Sequence, residues 1–134
     1  KINITNRQIF KISKTNGLIS NDADFYEKKI KNYFIDRKVS FDITLLGVGE
    51  DGHIASLFKN NINTKTNKIV NFIKMNDFFR ITLTINYINK SNAIMLWAPG
   101  KSKKKIVKKI ILDKFFKYPA SYLKKKNTFL FYCN

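Results

Sequence analysis

The stretch that most narrows the choice of fold is residues 41–58, FDITLLGVGEDGHIASLF, where an apolar run ends abruptly in a loop punctuated by glycine. Ile43, Leu45 and Leu46 make a run apolar enough for a strand covered on both faces, the kind found in parallel sheets. Gly47, Gly49 and Gly52 then end it. Glycines at that spacing allow positive φ and close approach of backbone to a ligand, with N–H groups free for anionic oxygens. In open α/β sheets ligands sit outside the carboxyl ends of the strands, where this loop falls. The loop carries Glu50, Asp51 and the sole histidine, His53. With a reference pKa of about 6.5, an imidazole accepts and returns a proton near neutrality. Asp51, two residues earlier with a glycine between, is placed to orient that imidazole or to hydrogen-bond a substrate hydroxyl. The plainer alternative is a strand, a turn and a surface histidine capping the next helix.

Elsewhere strands interleave with helices, which indicates an α/β sheet rather than a β sandwich. Residues 1–21 read as an irregular crossing segment containing Gly17. Asp22 caps a predicted helix through about residue 36, with Phe25, Ile30 and Phe34 near helical spacing. The glycine-terminated strand follows after Lys38, and residues 54–58 read as one helical turn. Residues 59–68 form an asparagine and lysine loop, followed by predicted strands at 68–74 and 80–84 and a short helix at 86–90. Residues 92–98 read as a second buried strand. Residues 101–113 place Ile106, Val107, Ile110 and Ile111 at helix spacing with lysines outside. Pro119 starts a final short helix, and residues 128–133 alternate as a closing strand. At 134 residues, with 44% hydrophobic residues, the chain has the size and the apolar content for one core.

The string LLGVGEDGHIASLF closely resembles the signature of the 6-phosphogluconolactonases, approximately LLGxGxDGHxASLFP. The resemblance implies hydrolysis of the lactone of 6-phosphogluconate in the oxidative pentose phosphate pathway, without metal or organic cofactor. It also implies a Rossmann-like, mostly parallel sheet flanked by helices, of the sugar-phosphate isomerase/lactonase type. The related glucosamine-6-phosphate deaminases share a similar loop but place a catalytic glutamate five residues after the histidine. Phe58 stands there instead, which favours the lactonase branch, while Lys59 replaces the family's usual proline. Arg80 in FFRITLTINYIN resembles the family's PxRITLT segment, without the preceding prolines, and would hold the substrate phosphate. AIMLWAPGKSKKKIVKKIIL resembles a strand, glycine and helix module with a GxxK motif, which puts Gly100 and Lys103 on its glycine and phosphate-binding lysine. YPASYL resembles the family's PAS segment, and FLFYCN its last strand, with Asn134 where many members have aspartate. Tyr26 and Glu27 echo a pair seen before the signature strand in relatives, but read first as ordinary helix residues. The implied site is His53 and Asp51 as catalytic residues, with Gly49, Gly52, Arg80 and Lys103 binding substrate. Outside the resemblance, Arg80 reads as a solvated charge and Lys103 as one of a hydrated run at 101–105.

Family members are nearly twice as long, and the glycine-rich phosphate loop and acidic and arginine motif of their first half appear nowhere in this sequence. Residues 1–134 therefore read as a single partial domain, the C-terminal portion of a lactonase-like fold apparently lacking its N-terminal half. Fusion to, or association with, another pentose phosphate pathway enzyme stays open. The net charge of +17 raises nucleic acid as a partner. Yet only Arg7, Arg37 and Arg80 are arginine, and the lysine travels with asparagine and isoleucine, as in an A- and T-rich coding sequence. No RNA-recognition signature, zinc-finger spacing or heptad repeat accompanies it, so nucleic acid is an unlikely ligand. Cys133 is the sole cysteine, which excludes an internal disulfide and suits a reducing compartment, the cytoplasm. One histidine and one distant cysteine make a metal site improbable. No apolar stretch approaches the roughly 20 residues of a membrane span. Two rival functions remain: a sugar-phosphate isomerase or deaminase, and a non-catalytic basic module that binds nucleic acid or another protein.

Overall fold

The protein is described by a computed structural model over residues 3–14, 17–34 and 40–133. Five strands, β1 (Ile43–Gly47), β2 (Val70–Lys74), β3 (Phe79–Leu83), β4 (Ala93–Pro99) and β5 (Thr128–Cys133), form two sheets. Among the described residues three α-helices accompany them: α1 (Ile19–Tyr33), α2 (Ile85–Ile88) and α3 (Lys104–Leu112). β1, β4 and β5 lie in that order as a parallel sheet, with Leu46 opposite Leu96 and Leu96 opposite Leu130. β2 and β3 pair as an antiparallel hairpin within the β1–β4 crossover. The α/β class expected from the sequence is thus the one observed.

Two apolar clusters hold these layers together. In the larger, Leu46, Ile94, Leu96 and Ala98 from the parallel sheet meet Ile54, Leu57, Ile85, Ile88 and Val107. In the smaller, Ala23 and Ile30 of α1 pack on Ile69, Val70 and Tyr87. α3 forms because Ile106, Val107 and Ile110 recur at helical spacing, and a one-turn 3-10 segment at Lys101–Lys103 leads into it.

Several expectations change. α1 starts at Ile19 with Leu18 as its N-cap, so Asp22 is not the cap but lies buried in the first turn, near the positive end of the helix dipole. Phe25 faces solvent, with the Lys29 ammonium 4.8 Å from its ring, and Tyr26 joins the packed face instead. Residues 54–58 are not helical: Ile54 bridges both Val48 and Leu57, and Ala55 adopts φ 51°. The reason is packing, since Ile54 and Leu57 both go inward from a tight turn, an i, i+3 spacing that a helix shares. β1 is covered on one face only; Thr44 and Leu46 are buried whereas Ile43 and Leu45 are exposed. The predicted end of α1 near residue 36, the strand onset after Lys38 and the residue at 134 lie outside the described residues.

Glu27 has a structural task that its sequence context did not single out. One carboxylate oxygen accepts the Ile69 and Val70 N–H groups at 2.9 and 3.0 Å, and the other meets the Lys31 ammonium at 2.6 Å. Burial opposes its ionisation, but the Lys31 ammonium and the Val70 and Ile69 N–H groups outweigh it and lower its pKa. α1 is thereby fastened to the start of β2.

Candidate active site

The Val48 N–H donates to the Trp97 carbonyl, so β1 stays paired with β4 up to the residue where the glycine loop begins. The loop then closes on itself. The Gly49 N–H donates to the His53 carbonyl at 2.9 Å and the Gly52 N–H to the Gly49 carbonyl at 3.0 Å. These two N–H groups are spent inside the loop, so the expectation that they are free for anionic oxygens does not hold. Their glycines are needed for space and conformation. A Cβ on Gly49 would fall 2.1 Å from His53 Nδ1 and 2.6 Å from an Asp51 oxygen. Gly52 has φ 83°, and a Cβ there would meet the Tyr118 side chain at 2.9 Å. Gly47 has open space around it and no positive φ, so neither reason applies.

His53 and Asp51 are brought together. Imidazole Nδ1 lies 2.6 Å from Asp51 Oδ1, and the His53 N–H donates to the same oxygen at 3.2 Å. A carboxylate accepts only, which assigns the proton to Nδ1 and leaves the Nε2 lone pair free to take another. Burial opposes ionisation of Asp51, but the His53 N–H, the imidazole hydrogen bond and its charge prevail and lower the Asp51 pKa. The imidazole is half-buried and its ring lies 4.7 Å from that of Phe58, tilted by 36°. The residue that replaces the deaminases' glutamate therefore forms a wall for the histidine.

Arg80 and Lys103 lie on other elements, β3 and the segment after β4. On β3, Thr82 Oγ1 accepts the Ser56 N–H at 3.2 Å, joining the hairpin to the turn after His53. Arg80 lies two residues from Thr82, hence on the same strand face, and stacks its exposed guanidinium 5.3 Å from the Phe78 ring. Lys103 follows Gly100 (φ 93°) at the carboxyl end of β4, the strand beside β1. It is half-buried where Lys101, Lys104 and Lys105 are exposed, and its N–H donates to the Gly100 carbonyl. Among the described residues neither side chain is hydrogen-bonded to the His53 loop. The structure thus gathers His53 and Asp51 into direct contact, and sets the backbones of Arg80 and Lys103 on elements joined to that loop.

The YPASYL segment has a supporting task not assigned to it from sequence. The Ala120 N–H donates to the Gly52 carbonyl at 3.1 Å while Tyr118 packs on Gly52. Asp113 holds this segment in turn, accepting the Phe115, Lys117 and Tyr118 N–H groups at 2.9, 2.7 and 3.2 Å. Asp113 at the end of the helical repeat, a few residues before Pro119, was the available sequence signal.

A parallel sheet whose carboxyl edge carries a glycine loop with an Asp–His pair defines an open-sheet α/β domain with a candidate proton-transfer site. Residues 1–131 match the family described as glucosamine-6-phosphate isomerases/6-phosphogluconolactonase, and the chain belongs to that family. It is 32% identical over 115 residues to the 6-phosphogluconolactonase of Chlamydia pneumoniae, an alignment covering 84% of this chain and 43% of that protein. Among solved structures, the 6-phosphogluconolactonase of Thermotoga maritima superposes with a TM-score of 0.72 at 27% identity, covering 89% of this chain and 53% of the other. The 6-phosphogluconolactonase from Trypanosoma cruzi gives 0.69 at 31% identity, covering 84% and 48%. The chain spans about half the length of the relatives it matches.

Proposed function

We propose that this chain carries the proton-transfer half of a 6-phosphogluconolactonase site and hydrolyses 6-phosphogluconolactone to 6-phosphogluconate as part of a complete lactonase domain. The observation that carries this reading is the 2.6 Å Asp51–His53 contact on a loop at the carboxyl end of a parallel strand. Nε2 of His53 draws a proton from the water that attacks the ring carbonyl, then returns a proton to the leaving ring oxygen, with Asp51 supporting the charged imidazole between the steps. Gly49 contributes by letting that pair sit against the backbone, and Gly52 by letting the loop turn at positive φ beneath Tyr118. Arg80 and Lys103 grip the phosphate at the far end, so remote binding is converted into orientation at the carbonyl. The Lys103 position gains from the helix start beside it, where partial positive charge favours an anion.

A cytoplasmic setting suits the free Cys133 thiol, and among the described residues no helix is long and apolar enough to cross a membrane. The experiment is a paired assay on the complete protein that contains this chain. Acid release from 6-phosphogluconolactone above the spontaneous rate, with no ammonia from glucosamine 6-phosphate, is the expected result. Ammonia release without lactone hydrolysis would establish the deaminase reading instead, which Phe58 on the His53 ring disfavours.

A further inference from the structure

The hydrogen bond to Asp51 fixes one atom of the His53 ring, and the ring can still swing about that point. A second contact, on the face of the ring, removes the swing, and Phe58 supplies it with ring centroids 4.7 Å apart. Where Phe58 sits therefore sets the direction of Nε2. Phe58 is half-buried and belongs to neither apolar cluster, so core packing does not settle the place of its ring. Lys59 and Asn60, which follow it, are exposed. The turn that carries Phe58 is tied instead by Asn61. Asn61 Oδ1 accepts the Phe58 N–H at 2.7 Å, Nδ2 donates to the Ser56 carbonyl at 3.3 Å, and the Asn61 N–H donates to the Phe58 carbonyl at 3.0 Å. An amide side chain suits this task because it offers an acceptor and a donor together. The tie is itself anchored on both sides: the Ser56 N–H donates to Thr82 Oγ1, Leu57 is buried, and Ile62 packs on the larger cluster. Ala55 at φ 51° lies in the left-handed region, which a non-glycine residue keeps only where its surroundings over-determine the backbone.

We propose that Asn61 is a positioning residue for the proton transfer and acts through Phe58. By tying the turn it keeps the Phe58 ring on His53, so that the imidazole stays on Asp51 with Nε2 turned away from the carboxylate. The effect of Asn61 on rate rests on the lactonase reading above, whereas its effect on the imidazole does not. Misplacement of a reacting group by about 1 Å costs about 10²-fold in rate, so a residue that never touches substrate can still govern turnover.

The test uses the complete protein that contains this chain, with histidine isotope-labelled at Cε1 for NMR, the His53 signal being the one absent from His53→Gln. Stacking on Phe58 shifts the Hε1 signal of His53 upfield by ring current. Asn61→Ala should move it downfield, most of the way to its position in Phe58→Ala. The same variant should lower kcat for 6-phosphogluconolactone by up to about 10²-fold with KM nearly constant. Asn61→Asp, which keeps an acceptor for the Phe58 N–H, should recover most of both. Because Asn61 acts through Phe58, adding Asn61→Ala to Phe58→Ala should lose little more rate than Phe58→Ala alone. An Asn61→Ala protein whose His53 signal stays in place would overturn the proposal, as would rate losses that multiply in the double variant. Should Asn61→Ala fail to fold, Phe58→Ala decides, since it leaves every Asn61 hydrogen bond intact, and an unmodified kcat there would overturn the proposal equally. Absence of lactone hydrolysis in the unmodified protein would count against the lactonase reading, while the His53 shifts still decide the role of Asn61.

Discussion

Around His53, geometry leaves little room for substitution. Gly49→Ala places a methyl group where the imidazole and the Asp51 carboxylate already are. The ring has to swing away while the strand behind it stays paired. Displacements of that order cost about 10²-fold in rate, so lactone hydrolysis should fall by roughly that factor, with thermal unfolding little changed. Asp51→Asn tests a different property, because it keeps an acceptor for Nδ1 but removes the negative charge. A lower kcat with a nearly constant KM is the expected outcome, measured by steady-state kinetics. Lys103→Ala should do the reverse, raising KM for the phosphorylated lactone more than it lowers kcat. Much of this was legible in the sequence, since Asp51, His53 and their flanking glycines are contiguous and their contacts local. What could not be read was the use of the Gly49 and Gly52 N–H groups, which depends on how the loop closes. The stacking of Phe58 on His53 was hidden for the same reason.

At the level of elements, Glu27 is the sharpest test. Glu27→Ala would strand the Ile69 and Val70 N–H groups in a buried setting, which costs about 2–3 kcal/mol and should appear as a lower urea midpoint. The pH dependence has a defined sign. Because the folded-state pKa is lowered, the stabilisation is fully present above the unfolded value of about 4.3 and is lost as pH falls through the folded one. Glu27→Gln should flatten that acid limb of the stability profile. β1 and β4 were readable as short apolar runs, β5 by its alternation and α3 by apolar residues at helical spacing. The turn at residues 54–58 misled because Ile54 and Leu57 bury themselves at a spacing common to turns and helices. Glu27 was opaque because its partners, Ile69 and Val70, are more than forty residues away in sequence.

Over the whole molecule, the dominant feature is the net charge of +17. If the substrate is the proposed phosphorylated lactone, the positive field concentrates it but is screened by salt, so KM should rise with ionic strength while kcat stays nearly level. The parallel sheet fixes where the His53 loop emerges, and both His53 and Lys103 follow strands of that one sheet. Arg80 arrives from the separate hairpin, tied in through Thr82 and Ser56. All three converge on chemistry only if the imidazole is the group that moves the proton. The most direct measurement is therefore the turnover of 6-phosphogluconolactone by the complete domain carrying His53→Ala, with folding checked by circular dichroism. A loss of about 10² to 10⁴ in kcat at unchanged folding is the predicted result, and hydrolysis near the unmodified rate would contradict it.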